Sequence, residues 1–289
     1  MNTLSNSELS IQVSPHGAEL YSIRCNGKEY LWQADPAYWK RHSPVLFPIV
    51  GSVWENTYRV NGNEYHLTQH GFARDMDFLL IAESPNELRY RLTDNEETRA
   101  KYPFPFCLEI GYRIEGKKIT VLWKVKNTGT KEMYFQIGAH PAFYYPDYDA
   151  ATTDRGYFGF GKAEGLQYIL IAEKGCADPN VKYPLCLTDG LLPIDTHTFD
   201  KDALIIEDSQ VREVTLYDKK KKPYLSLYFD APLVGLWSPP TKNAPFVCIE
   251  PWYGRGDRAY YTGEYKDKDW MQHLQSGEVF KAEYTIEIR

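Results

Sequence analysis

Two residues of the chain combine acid–base chemistry with an unusual local setting. His140 stands in Gly138-Ala-His-Pro-Ala-Phe143, and Glu250 stands in Cys248-Ile-Glu-Pro-Trp252. Imidazole and carboxylate groups are frequent proton-transfer groups in enzymes. Glu250 follows an apolar run, where burying an unpaired carboxylate is costly. We therefore predict that Glu250 is either paired with an arginine or held for proton transfer, whereas His140 taken alone is more typical of a hydrogen-bonded core histidine.

Three other segments also depart from the surrounding pattern and concentrate polar groups beside prolines and aromatics. They are Arg41-His-Ser-Pro-Val-Leu-Phe-Pro-Ile-Val-Gly51, Gln69-His-Gly-Phe-Ala-Arg-Asp75 and Trp237-Ser-Pro-Pro240. Taken singly, His70 could be explained as a turn residue. Arg41 and Arg74 are, taken singly, more typical of surface residues in salt bridges. Rigid strand ends that present polar groups are where sites form on β scaffolds. We therefore predict that these segments and those of His140 and Glu250 build one site.

The elements that must position these segments are predicted to be short strands. Asn61-Gly62 separates two strand-like stretches and is typical of a type I′ hairpin turn. Residues 118–126 alternate apolar and polar side chains with the period of two of a strand. Helical stretches are few, with single turns expected at 38–42 and 270–275. The pattern predicts an all-β fold, a large antiparallel β-sandwich with few short helices, in a single domain over residues 1–289.

Composition and charge disfavour several classes of function. The net charge is −6, and the one basic run, Lys219–Lys222, lies between two strand-like stretches, so nucleic-acid binding is disfavoured. The five cysteines are scattered without a CxxC pair, which argues against a disulfide framework or a zinc site and favours the cytoplasm. The N-terminus has no signal-peptide pattern, and no run of about 18 apolar residues predicts a membrane helix.

Jointly, these segments resemble the aldose 1-epimerase (galactose mutarotase-like) family, and in particular its LacX-like bacterial subgroup. The pattern SPVLFPIVG, HGFAR, AHPAF and IEPW carries the resemblance, which covers nearly the whole chain. It implies a galactose mutarotase-like β-supersandwich with no metal and no organic cofactor. It also implies an isomerase that interconverts the α and β anomers of an aldohexose.

The resemblance also implies roles for individual residues. It places His140 as the general acid and Glu250 as the general base on either side of the anomeric centre. Mutarotation needs an acid at the ring oxygen and a base at the C1 hydroxyl together, and an imidazolium and a carboxylate meet that need near pH 7. His70 matches the histidine that binds and polarises the sugar.

Further contacts with the sugar are matched less closely. The family's arginine matches Arg41, with Arg74 as the rival, and its aspartate matches Asp202, with Asp200 as the fallback. Trp237 is a candidate platform for the sugar ring. Trp252 is an equal candidate for a platform or for core packing.

One departure bears on the substrate, and several alternatives stay open. Galactose mutarotases carry an asparagine where this chain has Ala139, a departure that concerns the identity of the sugar more than the reaction. A hexose-6-phosphate 1-epimerase would need a cationic pocket, for which Arg41, Arg74, Arg255 and Arg258 are candidates. A non-catalytic carbohydrate-binding or sensing protein is a third possibility. A glycoside hydrolase is disfavoured because it needs paired carboxylates, and the sequence offers one strong carboxylate candidate, Glu250. The expected partner is a small sugar, and the expected state is a monomer or homodimer.

Overall fold

The computed structural model describes residues 1–161 and 164–289. Most of its elements are short strands. In chain order the first of them are β1 (Asn2–Ser5), β2 (Leu9–Val13), β3 (Leu20–Cys25), β4 (Lys28–Glu29), β5 (Val45–Leu46), β6 (Thr57–Val60), β7 (Asn63–His66), β8 (Leu79–Glu83), β9 (Glu87–Thr93), β10 (Phe106–Glu115), β11 (Lys118–Asn127), β12 (Met133–Phe135) and β13 (Ile137–Ala139).

The second half of the chain continues the same pattern. Its strands are β14 (Ala142–Tyr144), β15 (Asp154–Gly159), β16 (Gln167–Ile171), β17 (Ala177–Pro184), β18 (Leu191–Asp195), β19 (Leu204–Ile206), β20 (Glu213–Tyr217), β21 (Pro223–Phe229), β22 (Leu233–Trp237), β23 (Phe246–Tyr253), β24 (Gln272–Leu274) and β25 (Val279–Ile288). The described helices are α1 (Glu96–Lys101) and the 3-10 turns Trp54–Asn56, Ala73–Asp75, Glu173–Gly175 and Tyr265–Asp267.

Two large antiparallel sheets dominate the fold. The nine-stranded sheet has the order β18-β15-β20-β21-β25-β11-β10-β9-β8. The eight-stranded sheet has the order β17-β16-β19-β22-β23-β13-β5, and β14 also pairs with β23. Strands β1 to β4 form a smaller four-stranded sheet, and β12-β24 and β6-β7 form two-stranded ones.

The two large sheets pack face to face through apolar side chains. In β11 buried and less buried positions alternate, so one face of this strand enters the core. The ring of Tyr253 in β23 lies 5.1 Å from the ring of Phe280 in β25, which joins the two sheets directly. Val247 and Ile249 of β23 belong to the same buried cluster as Val121 and Trp123 of β11. The predicted all-β antiparallel sandwich is therefore confirmed.

Local predictions succeed at the hairpins and fail at the short helices. Val60 pairs with Asn63 across the expected Asn-Gly turn of β6 and β7. The helical turn expected at 270–275 is wrong, because residues 272–274 form β24 and pair with β12. Residues 38–42 form no helix either. Helix α1 was not expected, although Asn95 and Thr98 cap its N-terminus reciprocally.

The helices of the described ranges are all too short or too polar to cross a membrane. The five cysteines are free thiols, three of them buried.

Candidate active site

The site begins where two short strands meet β23. Strand β13 pairs Gly138 with Trp252, and β14 pairs with β23 in the same register after a break at residues 140–141. A Cβ atom on Gly138 would lie 2.6 Å from the Trp252 side chain, so this close pairing requires glycine. The continuous register places His140, which lies in the break, opposite Glu250.

His140 and Glu250 touch within the protein interior. The distance from His140 Nε2 to Glu250 Oε2 is 3.4 Å, and the two side chains are 9% and 2% exposed. His140 Nδ1 and Glu250 Oε2 are buried without a hydrogen-bond partner among the described residues. Buried polar atoms normally have partners, so an unpaired group in a cavity points to a ligand or to catalysis. The side chains lie side by side on one wall rather than facing each other across a gap.

Burial shifts the two groups toward their neutral forms. Loss of solvent lowers the pKa of His140 to about 3, and the charge of Arg74 acts in the same direction. Loss of solvent also raises the pKa of Glu250 well above its ordinary value, and the nearby Asp202 carboxylate adds to that shift. The imidazolium and carboxylate expected from sequence are therefore not the favoured states in the free site. The favoured pair is a neutral imidazole beside a protonated carboxyl.

His70 reaches the same cavity in a fixed tautomer. Its Nδ1 accepts a hydrogen bond from the backbone N–H of Gly51 at 3.1 Å, and the backbone N–H of His70 donates to the Gly51 carbonyl at 2.8 Å. Because Nδ1 accepts, the proton of the neutral ring is assigned to Nε2, which is free to donate to a ligand. Burial, followed by the charge of a protonated His140, holds the pKa of His70 well below its ordinary value.

Of the two candidate arginines, only Arg74 lines the cavity. Its Nη2 donates to the Gln69 carbonyl at 2.6 Å, while its buried Nε has no hydrogen-bond partner among the described residues and lies 3.7 Å from Asp75 Oδ2. Burial lowers the pKa of Arg74 to about 10. The Arg41 guanidinium instead donates to the Asp75 carboxylate at 2.8 Å.

The two candidate aspartates also have different surroundings, and only one of the two lines the cavity. Asp202 lines the cavity in a left-handed conformation with a φ of 71°, and its Oδ1 accepts from the backbone N–H of Ala203. Asp200 lies 2.9 Å from Nδ1 of His197, whose side chain is 75% exposed. The structure therefore brings Asp202, and not Asp200, beside Glu250.

Three tryptophans surround the acid–base pair. Trp39 stacks on His140 with ring centroids 4.7 Å apart, and Trp237 meets the same ring edge-on at 5.4 Å. Trp252 is buried, and its indole N–H donates to the Ala139 carbonyl. Trp39 was missed in the sequence, although it stands two residues before the Arg41 segment.

The cavity has a volume of about 250 Å³, which suits a small polar ligand. It is lined by Trp39, Gly51, Gln69, His70, Arg74, His140, Ile171, Gly175, Asp202, Ala203, Ile205, Trp237, Glu250, Trp252 and Gly256. A Cβ atom on Gly51 would lie 2.7 Å from the Gly256 nitrogen, so the glycines let two backbone segments meet in this wall.

A set of cation-ligating atoms overlaps the pair. One ligand atom each from His140, Cys248 and Glu250 lies within 4.8 Å of the others, and all three residues are buried. A nitrogen, a sulfur and an oxygen donor suit borderline or soft divalent cations.

Comparison with known proteins gives one consistent assignment. The family model described as aldose 1-epimerase matches residues 1–287. The plasmid-encoded protein LacX of Lactococcus lactis subsp. lactis is 32% identical over 294 residues, which cover 99% of this chain and 98% of that protein.

Two solved structures have nearly the same fold. One is a galactose mutarotase related enzyme from Lactobacillus acidophilus, with a TM-score of 0.93, 34% identity and coverage of 100% of this chain and 97% of that one. The other is a galactose mutarotase-like protein from Lactobacillus casei, with a TM-score of 0.93, 28% identity and full coverage of both chains. On the match of the family model and these relatives, the chain belongs to the aldose 1-epimerase family.

Proposed function

We propose that the protein is an aldose 1-epimerase that interconverts the α and β anomers of a free aldohexose. The observation that carries this proposal is the contact between His140 and Glu250, two buried proton-transfer groups 3.4 Å apart. Ring opening requires proton transfer at O1 and at O5, and both oxygens are bonded to C1. Two protein groups that lie side by side can therefore serve one anomeric centre.

The pair contains one transferable proton, which is what the reaction requires. In the roles that we propose, Glu250 removes the proton from the C1 hydroxyl and His140 protonates the ring oxygen as the C1–O5 bond breaks. Rotation about C1–C2 and reversal of these transfers give the other anomer. Because burial favours the proton on Glu250 in the free site, that proton must first pass to His140 as the sugar binds. The two groups are 3.4 Å apart without a hydrogen bond, so the transfer requires a small movement that brings them into hydrogen-bond geometry. Each such group contributes about 10²–10⁴-fold to a rate.

The remaining polar groups support sugar binding. We assign His70 as a donor through Nε2, Arg74 as a donor through its Nε, which makes no hydrogen bond among the described residues, and Asp202 as an acceptor. The faces of Trp39 and Trp237 provide apolar walls beside His140. A few polar groups on an apolar wall are the usual arrangement for orienting a small ligand.

A free sugar is favoured over a sugar phosphate because most candidate arginines are already paired. Arg255 is buried and binds Glu207 and Asp269, and Arg258 makes two contacts with the same Asp269. Arg74 is the cation of the candidate set that lines the described cavity. A cavity with a single arginine and the carboxylate of Asp202 is a poor site for a dianionic phosphate.

One experiment distinguishes the enzyme from its alternatives. Each aldose of a small panel, as a freshly dissolved single anomer and alongside its 6-phosphate, is followed by NMR with and without the protein. We expect faster approach to anomeric equilibrium for at least one free aldose and little acceleration for any 6-phosphate. Sugar binding by calorimetry without acceleration would instead identify a carbohydrate-binding protein, and preferential acceleration of a 6-phosphate would identify the phosphate epimerase.

A further inference from the structure

Cys248 is a buried thiol next to the acid–base pair that the proposed reaction does not use. It precedes Glu250 by two positions in β23, so the two side chains leave the strand on the same face. Its pairing partner across the sheet is Ala142, two positions beyond His140. Strand geometry thus brings sulfur, nitrogen and oxygen together, with ligand atoms within 4.8 Å of one another.

We propose that His140, Cys248 and Glu250 form an inhibitory binding site for a thiophilic divalent cation such as Zn²⁺ or Cd²⁺. Zinc bonds of about 2.1 Å to nitrogen and oxygen at the tetrahedral angle hold two ligand atoms about 3.4 Å apart. His140 Nε2 and Glu250 Oε2 already have this separation of 3.4 Å. The sulfur lies within 4.8 Å of the other ligand atoms, so it has to approach by at most roughly 1 Å.

A second observation favours a ligand at this position. Glu250 Oε2 is buried, in a residue that is 1% exposed, and has no hydrogen-bond partner among the described residues. Buried acceptors of this kind are costly unless something completes their bonding. A cation bound to Oε2 would do so.

Charge balance makes the bound state compatible with burial. On binding, the Cys248 thiol releases its proton to solvent, and the His140–Glu250 pair releases the one proton that it holds. The cation then forms one bond each to a thiolate, a neutral imidazole and a carboxylate, and keeps one water as its fourth ligand. Two negative ligands neutralise a divalent cation, so the buried site carries no net charge.

A cation at this site would inhibit the proposed reaction because it would bind the two groups that transfer protons. Glu250 and His140 line the cavity, whereas Cys248 packs behind them with Ala142, Phe246 and neighbouring apolar residues. A cation bound by all three occupies both groups that the proposed reaction uses. Cation and sugar are therefore expected to compete.

The test uses full-length protein with the two less buried thiols replaced by serine, Cys107→Ser and Cys186→Ser. Cd²⁺ is titrated into this background protein while the ultraviolet charge-transfer band of a cadmium–thiolate bond is recorded. We expect one Cd²⁺ per chain with this band. Cys248→Ser in the same background should abolish the band and weaken cadmium binding at least about tenfold, because loss of a ligand costs no less than loss of an outer contact.

Cys25→Ala is the matched control, because Cys25 is buried in β3 and belongs to another part of the core. It should keep both the band and the cadmium affinity of the background protein. His140→Ala should weaken Cd²⁺ binding while keeping a thiolate band, which tests the nitrogen ligand separately.

A background protein without the band, or a Cys248→Ser protein that keeps it, overturns the proposal. Cys248→Ala repeats the comparison without a buried hydroxyl, in case the serine protein fails to fold. The spectroscopic readout needs no sugar turnover, so its failure is distinguishable from failure of the proposed function. Where turnover is measurable, Zn²⁺ should inhibit the background protein and leave the Cys248→Ser protein active.

Discussion

His140 lies opposite Glu250 because β13 and β14 pair with β23 in one register that continues through the break at Pro141. The amide of Ile249 donates to the Pro141 carbonyl at 3.3 Å, which holds the break against β23. Proline cannot donate to a strand ladder, so the interruption follows from the sequence. The break frees His140 from regular pairing while keeping its side chain beside the carboxyl group.

Replacement of either group of the pair should remove most of the catalysis. We expect Glu250→Gln and His140→Ala each to lower the rate of anomer interconversion by at least about 10²-fold, because each variant lacks one proton-transfer group. Polarimetry on a freshly dissolved single anomer measures this rate. Glu109→Gln is the matched control, since Glu109 is also buried but binds Arg91 and Lys124 on the nine-stranded sheet. Near wild-type rates in both site variants, with the fold intact, would refute the assignment.

The pH profile should reflect a pair that is active while it holds one proton. His140, with a pKa of about 3, gains a second proton only in strong acid. Glu250 loses the remaining proton only well above its ordinary pKa of 4.5, because burial raises that pKa. Activity should therefore fall below a pH near 3 and again at a pH well above 4.5, with a plateau between.

The pH profile near 6.5 distinguishes a His140 with a lowered pKa from a histidine with an ordinary pKa. We expect kcat/KM, corrected for the uncatalysed reaction, to show no acid limb near pH 6.5, the ordinary pKa of histidine. An acid limb centred there would show that His140 is as basic as a solvated imidazole. Arg74→Gln should move the acid limb upward in pH, because the Arg74 charge helps to lower the pKa of His140.

Much of the fold could be predicted from local sequence, and the site only in part. Asn61-Gly62 and the alternation in β11 are short-range signals, and the β6–β7 hairpin and the β11 strand formed as expected. Residues 270–275 carry no comparably strong signal, and pairing with the distant β12 decides their conformation. Tertiary context overrides weak local preference in this way.

At the site, sequence patterns identified candidate residues but not their environment. The sequence pattern matched the sugar-binding arginine to Arg41 before Arg74, whereas in the structure Arg41 donates to Asp75 and Arg74 lines the cavity. Trp39 lies outside the distinctive segments, so nothing local connected it with His140. The protonation states depend on burial, which the sequence does not give.

Substitution of His70 should affect substrate affinity more than the chemical step. We expect His70→Gln to raise KM about tenfold with a smaller change in kcat, because one hydrogen bond to the sugar is lost. Gly51→Ala should produce a similar change without touching the sugar, since its Cβ would clash with Gly256 and displace the amide that fixes the His70 tautomer. His66→Gln, at an exposed histidine of β7, is the control and should leave KM unchanged.

Trp39 is expected to position His140 and shield it from water. Trp39→Ala should lower kcat by about 10- to 10²-fold and raise the pKa of His140, because the ring would be less precisely held and better solvated. Trp39→Phe should restore much of the activity by restoring a stacked ring. Trp54→Ala is the matched control at a half-buried tryptophan that packs on Tyr260. Unchanged kcat and pH profile in Trp39→Ala would exclude this role.

A buried ion pair stabilises the segment that follows Gly256 in the cavity wall. Lys268 and Asp257 form an ion pair in which both side chains are only 2% exposed, and Asp257 also accepts a hydrogen bond from the Trp54 amide. Lys268→Met leaves the Asp257 charge buried and unpaired, so we expect the free energy of unfolding to fall by about 3–5 kcal/mol. Urea unfolding at neutral pH measures this change.

The double variant Lys268→Met with Asp257→Asn separates the cost of the unpaired charge from the worth of the ion pair. The asparagine oxygen can still accept from the Trp54 amide while carrying no charge. We therefore expect the double variant to be more stable than Lys268→Met alone, because a neutral pair avoids the desolvated charge. A double variant no more stable than the single one would mean that the lysine contributes through packing of its chain. In that case the charge of Asp257 would have to be relieved by solvent that reaches it once the lysine is gone.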